Sequence, residues 1–215
     1  MVGAGAWVVI QQVLTGARDH WSRRAEQAVE TAAEEAGLTP DELLERIVAD
    51  ERLVDLAMRV FTVAAEIALQ ARIRAAGAAL GRAVRDDSAI DEERFIVDTL
   101  ATLHMPHYRL LRQLGDRYEG YGQERDANGQ ELLHGWSPAA LREHQPGLVP
   151  VLGPVMGALA SQDLVRNTNV GRYNYTPGAA DRWVLTDYGR RVLDRLLEAQ
   201  GSEEPEPPAQ DPSEG

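Results

Sequence analysis

Apolar and small residues recur three or four positions apart at Trp7, Ile10, Leu14, Ala17, Trp21, Ala25, Ala28, Ala32 and Ala36, and this spacing dictates a helix with one buried stripe. Gly37 supplies a left-handed stop and Leu38 packs back on the helix end. Thr39-Pro40-Asp41-Glu42 then reads as cap, first-turn proline and capping-box glutamate. The stretch that starts at Pro40 carries Leu43, Leu44, Ile47 and Val48, breaks near Asp50, and resumes with Leu53, Leu56, Val60, Val63 and Ile67. Beyond Ile67 the stripe runs on through Ala71, Ala75, Ala76 and Ala79, and a face this smooth lets a neighbouring helix come close, in antiparallel packing. The same spacing suits a seam between two chains, so a homodimer through the N-terminal helices is also expected.

Arg85-Asp86-Asp87-Ser88 reads as a turn, after which Asp91 caps a helix carrying Phe95, Ile96, Leu100 and Leu103. Pro106 opens its continuation through His107, Tyr108, Leu110, Leu111 and Leu114 to a stop at Gly115. Residues 116–136, with Asn128-Gly129 inside them, form a hairpin or loop insertion. The expected organisation is an acidic helical region over 1–90, a second domain over 91–200 that contains the insertion, and a disordered acidic tail over 201–215.

Charge restricts the partners. The chain carries a formal charge of -12, which excludes non-specific coating of nucleic acid, since that depends on Lys and Arg displacing counterions. The distribution is uneven: arginines against carboxylates number 10 to 17 over residues 1–93 and 12 to 12 over 94–200. The C-terminal half is therefore neutral. Every basic residue is arginine, which reads as a coding bias more than as selection for bidentate recognition. Apolar runs stay well short of the ~20 residues that span a bilayer, and no basic residue precedes Arg18, so a cytoplasmic protein without signal peptide or membrane segment is expected.

Catalytic chemistry has no footing in the motifs. There is no cysteine, and no Walker, HExxH or dinucleotide fingerprint occurs, so neither enzyme activity nor a cofactor is expected. His104 and His107, with His134 and His144, are the nearest approach to a metal-ligand set. Pro106 between the first two favours a helix-junction role, and no metal is expected. Glu30, Glu34, Glu35, Asp41, Glu42 and Glu45 read as a solvated face rather than a docking surface. Trp7 and Trp21 read as core or dimer anchors.

The C-terminal half changes pattern. Ser137-Pro138 caps a short helix that ends near His144, Gln145-Pro146-Gly147 turns the chain, and a further helix runs from about Pro150 to Gln162. Asp163 to Asn167 leads into a strand, a polar excursion covers Asn169 to Asp181, and Arg182-Trp183-Val184-Leu185 makes a second strand. Thr186 caps a final helix with core residues Val192, Leu193, Leu196 and Leu197. The segment from Ala158 to Arg166, followed by Val184-Leu185-Thr186-Asp187-Tyr188-Gly189-Arg190-Arg191-Val192-Leu193, resembles bacterial winged-helix regulators of the MarR-like kind over about 60 residues.

That resemblance implies a mostly α fold, an N-terminal helical hairpin or bundle followed by a winged helix-turn-helix with a small β-wing, and a transcription regulator that binds DNA. The helix that would read bases departs from the pattern. From Leu148 to Ala160 it holds only Leu, Val, Pro, Gly, Met and Ala, so contact is expected mainly through the wing. The candidate DNA-binding residues are Arg166, Asn167, Asn169, Arg172, Tyr173, Arg182 and Arg190. Gly153 and Gly157 in the apolar helix suit close packing against another helix, which supports an alternative: a protein-interaction module on a winged-helix scaffold without DNA binding. The Ala and Leu spacing of residues 41–114 is also similar to the helical half of uncharacterised phage-defence and Abi-type proteins.

Overall fold

The computed structural model describes residues 23–66, 69–116, 135–168 and 181–201. The stripe before residue 23, Ile67, residues 117–134 of the expected insertion, residues 169–180 of the polar excursion, and all but the first residue of the acidic tail lie outside them. The chain divides into two compact units, residues 1–97 with 195–215, and residues 98–194. The expected boundary lay at 90/91.

The first unit is helical. Helix α1 covers residues 23–36 and buries Ala28, Ala32 and Ala33. Gly37 stops it at φ +68°, and the Leu38 amide donates back to the Ala33 carbonyl at 2.9 Å. The capping box forms as the sequence implies: the Thr39 amide donates to Glu42 Oε2 at 2.8 Å and the Glu42 amide to Thr39 Oγ1 at 3.3 Å. Helix α2 follows over Pro40–Val48, and the break near Asp50 is a second cap, with the Arg52 amide donating to Asp50 Oδ1 at 2.9 Å before α3, Glu51–Glu66.

Helix α4, Gln70–Arg85, is separate from α3, whereas the apolar period implied continuity. Leu69 lies at its start in an extended conformation without a side-chain cap, and no Gly or Pro stands nearby. Packing of α3 against α4 as a hairpin decides this break, which local composition does not mark. Gly77 and Gly81 of α4 lie against the carbonyls of Ala28 and Ala32 in α1, so closely that a Cβ would overlap them. The close approach expected of the alanine-rich face is thus completed by two glycines.

Asp86, rather than Asp91, caps the next turn: it accepts from the Ser88 amide at 2.9 Å ahead of a 3₁₀ turn, Asp87–Ala89, and α5, Ile90–Thr102, begins with Asp91 already in its first turn. Leu44, Val48 and Phe95 were expected inside and are 43%, 78% and 60% exposed. Each sits beside a residue that faces inward (Leu43, Ile47, Ile96), and adjacent positions point about 100° apart around a helix, so here the buried stripe is too narrow to take both.

One polar network lies within this core. Glu93 of α5 is 3% exposed and accepts from Arg82 Nε at 2.5 Å, from Arg82 Nη2 at 3.0 Å, and from Arg195 Nη2 at 3.3 Å. Glu35 of α1 lies 4.0 Å from Arg82 and 3.4 Å from Arg85. Arg72 is also buried, and desolvation pulls its guanidinium down to about 10. Its charge therefore disfavours the folded state at any pH below about 10, and that penalty is relieved as pH rises above this value.

The second unit contains the end of α5, then α6 (Met105–Gly115), α7 (Pro138–His144), a 3₁₀ stretch (Pro146–Val151), α8 (Leu152–Ser161), β1 (Val165–Asn167), β2 (Trp183–Leu185) and the first half of α9 (Asp187–Gly201). Gln145-Pro146-Gly147 thus begins a 3₁₀ stretch, and α8 starts two residues later than expected because Pro150 interrupts regular hydrogen bonding. Leu100, Leu110, Leu111, Leu141, Leu159, Leu164 and Val192 form the core. Leu197, expected on the core face of α9, is 38% exposed. His104 and His107 serve the α5–α6 junction, the His104 amide donating to His107 Nδ1 at 3.0 Å. Among the described residues no helix is long and apolar enough to cross a membrane, and no group of three metal-binding side chains occurs.

Two outcomes follow. Glu93→Ala leaves two arginines without their buried acceptor and lowers unfolding free energy by about 3–5 kcal/mol in urea titration, and adding Arg82→Met restores part of the loss. Glu42 is held below its ordinary 4.5 by the Thr39 amide and hydroxyl, and Asp86 below its ordinary 3.8 by the Ser88 hydroxyl and amide. Both carboxylates accept these bonds at neutral pH and lose them as pH falls through those lowered values, so amide exchange at Thr39 and Ser88 accelerates there first.

Candidate nucleic-acid interface

Strands β1 and β2 pair antiparallel in the register Val165↔Leu185, Arg166↔Val184 and Asn167↔Trp183. The ladder extends one step, with the Thr168 amide donating to the Arg182 carbonyl at 2.8 Å. A further pairing appears on the other side of β2. Trp136, assigned from sequence to the end of the loop insertion, is 2% exposed and exchanges two backbone hydrogen bonds of 2.9 Å with Trp183. Three chain segments therefore lie side by side, in the order β1, β2, Trp136. A single tryptophan between a Gly and a capping Ser carries no alternation, which is why sequence reading missed it.

The entry to α9 explains the Leu-Thr-x-x-Gly-Arg motif. Thr186 caps the helix by accepting from the Gly189 amide at 2.8 Å, and its own hydroxyl donates to the Asp163 carbonyl at 2.5 Å. Gly189 lies directly on the Leu164 carbonyl, where a Cβ would overlap it. Asp163 turns the chain out of α8 with φ 56°, an unusual value for a residue with a side chain. The helix exit, the strand and the next helix start are thus locked by one threonine and one glycine.

Helix α8 packs on α6 and β1 through Leu152, Val155, Met156 and Leu159. Its other side is open. Pro150, Val151, Gly153, Pro154, Gly157 and Ala160 are exposed, and nothing lies within 4 Å of a Cβ built on Gly153 or Gly157. The close helix packing that these glycines implied is not made within the unit. Between α7, α8 and β2 runs a groove of about 400 Å³ lined by Leu141, Val149, Leu152, Met156 and Trp183, with Arg142 and Asp181 also on it.

The candidate contact residues divide into groups. Arg166, at the centre of β1, and Arg190, in the first turns of α9, are exposed. Asn167 is committed to the hairpin, its Nδ2 donating to Asp181 Oδ1 at 2.8 Å, and Arg182 is half-buried. Asn169, Arg172 and Tyr173 lie outside the described residues. No protein-family model, curated protein or solved structure matches this chain.

The glycines separate two physical roles. Gly189→Ala must displace the Leu164 carbonyl, and the melting temperature falls by an amount equivalent to about 1–3 kcal/mol. Gly157→Ala, facing open space, is neutral or raises stability by up to about 1 kcal/mol through helix propensity. Thermal denaturation of the two variants side by side checks both.

Proposed function

We propose that residues 98–194 form a winged-helix module that contacts double-stranded DNA through its phosphate backbone and reads base sequence weakly or not at all. What carries the reading is the uncovered outer face of α8 next to a strand and helix start that present Arg166 and Arg190 to solvent. The order α6, Trp136, α7, α8, β1, β2, α9 matches the helix-strand-helix-helix-strand-strand-helix order of winged helices and supports the fold assignment. The exposed part of α8 offers methyl and methylene groups and lacks bidentate hydrogen-bonding side chains, so specificity of the usual ~1–3 kcal/mol per base contact has no source there. Arginine contacts to phosphate supply affinity without sequence information.

The groove between α7, α8 and β2 favours a second reading, a module that docks protein. Apolar floor, bare glycine backbone and one arginine at the edge suit an apolar partner surface better than a nucleic acid.

Titration of a random-sequence duplex at several salt concentrations distinguishes the two. DNA contact predicts an affinity that falls steeply with salt, and Arg166→Ala with Arg190→Ala reduces the salt slope by about 2 and weakens all duplexes alike. Affinity indifferent to salt and to both substitutions contradicts the DNA reading and leaves the docking one.

A further inference from the structure

The groove between α7, α8 and β2 carries one charge of each sign around an apolar floor. Leu141, Leu152 and Met156 form the floor, 1%, 7% and 7% exposed, and Trp183 is the one aromatic residue on the lining. On the α8 side Gly153 and Gly157 present bare backbone, with nothing within 4 Å of a Cβ built on either. At about 400 Å³ the groove has the size of a site for a small molecule, a class that spans ~300–1,000 Å³.

Its two charged residues are Arg142, from α7, and Asp181, just before β2. Their sequence neighbours of opposite sign, Glu143 and Arg182, do not line it. Arg142 is exposed and makes no ion pair among the described residues, either with Asp181 or with another carboxylate. Asp181 is half-buried. Its Oδ1 accepts from Asn167 Nδ2 at 2.8 Å, and its Oδ2 has no partner among the described residues.

The two charges select the occupant. One that is apolar throughout covers the floor but leaves a guanidinium and a carboxylate desolvated without partners. One that carries a single sign is repelled by Arg142 or by Asp181. A flat apolar body with an anion at one end and N–H donors at the other satisfies both, since a carboxylate only accepts and a guanidinium only donates. Among the common nucleobases guanine sets two donors side by side on one edge, N1–H and the N2 amino group. The others place a lone pair beside their N–H, which a carboxylate repels. A base ring gains by stacking on an indole, and a phosphate takes a forked pair of hydrogen bonds from arginine. We propose that the groove binds a guanine mononucleotide, with its phosphate on Arg142 and the donor edge of its base toward Asp181. The site does not depend on DNA contact through Arg166 and Arg190, and a protein docked in the groove excludes the ligand.

Calorimetric titration of the full chain with guanosine monophosphate tests it, with guanosine and uridine monophosphate as controls. Guanosine monophosphate binds, and removing its phosphate or exchanging its base weakens binding by about 10-fold or more, as the loss of a hydrogen bond to a charged group does. Arg142→Ala, at an exposed side chain without an ion pair, binds guanosine monophosphate and guanosine alike. Asp181→Asn keeps the oxygen that Asn167 uses, and lowers affinity for both guanine ligands by about 10-fold with an unchanged far-UV circular dichroism spectrum. In the wild type the amide resonances of Gly153 and Gly157 shift during the titration. Absence of binding at about 1 mM guanosine monophosphate overturns the proposal, because a site of this kind is at least half-filled there. Equal wild-type affinity for the three ligands, or an Arg142→Ala variant that still prefers the phosphorylated form, also overturns it.

Discussion

The crossing of Gly189 over the Leu164 carbonyl fixes the arrangement on which the candidate interface depends. Because no Cβ intervenes, α9 starts against the end of α8, and Thr186 ties the two backbones with a bond to Asp163 and a cap to Gly189. Strand β1 can then leave only in the direction that pairs it with β2, and β2 in turn pairs with Trp136. The result is a base, tied at several points of its backbone, on which Arg166 and Arg190 are exposed, with α8 held on α6 by its one buried face.

The first unit rests on a different device. Gly77 and Gly81 bring α4 onto α1 at backbone contact, and the Glu93 carboxylate accepts from Arg82 and Arg195 inside the same body. Buried charges of this kind add little net stability over apolar residues of equal volume. They do restrict the packing, since any other register strands a charge away from water.

Local signals in the sequence were the legible ones. Gly37, the Thr39 capping box, Ser137 and Thr186 all act through atoms within five residues, and each is found where its spacing put it. Contacts between distant residues were not legible: Arg82 and Glu93 are 11 positions apart, and Arg195 and Glu93 are 102 apart. The division into α3 and α4 escaped for the same reason, because it answers to helix-on-helix packing and not to a stop residue. Exposure of Leu44, Val48, Phe95 and Leu197 shows that a helical period locates a stripe without fixing its width. At the candidate interface, sequence singled out Arg166 and Arg190 but not the groove, which exists only once α7, α8 and β2 are assembled.

The most direct test of backbone contact by this module is the change in amide resonances of the labelled protein when a short duplex is added at low salt. The account predicts shifts concentrated at Arg166, Arg190 and the exposed side of α8, alike for unrelated sequences and reversed by added salt. Spectra that do not change, or changes that avoid these residues, contradict it.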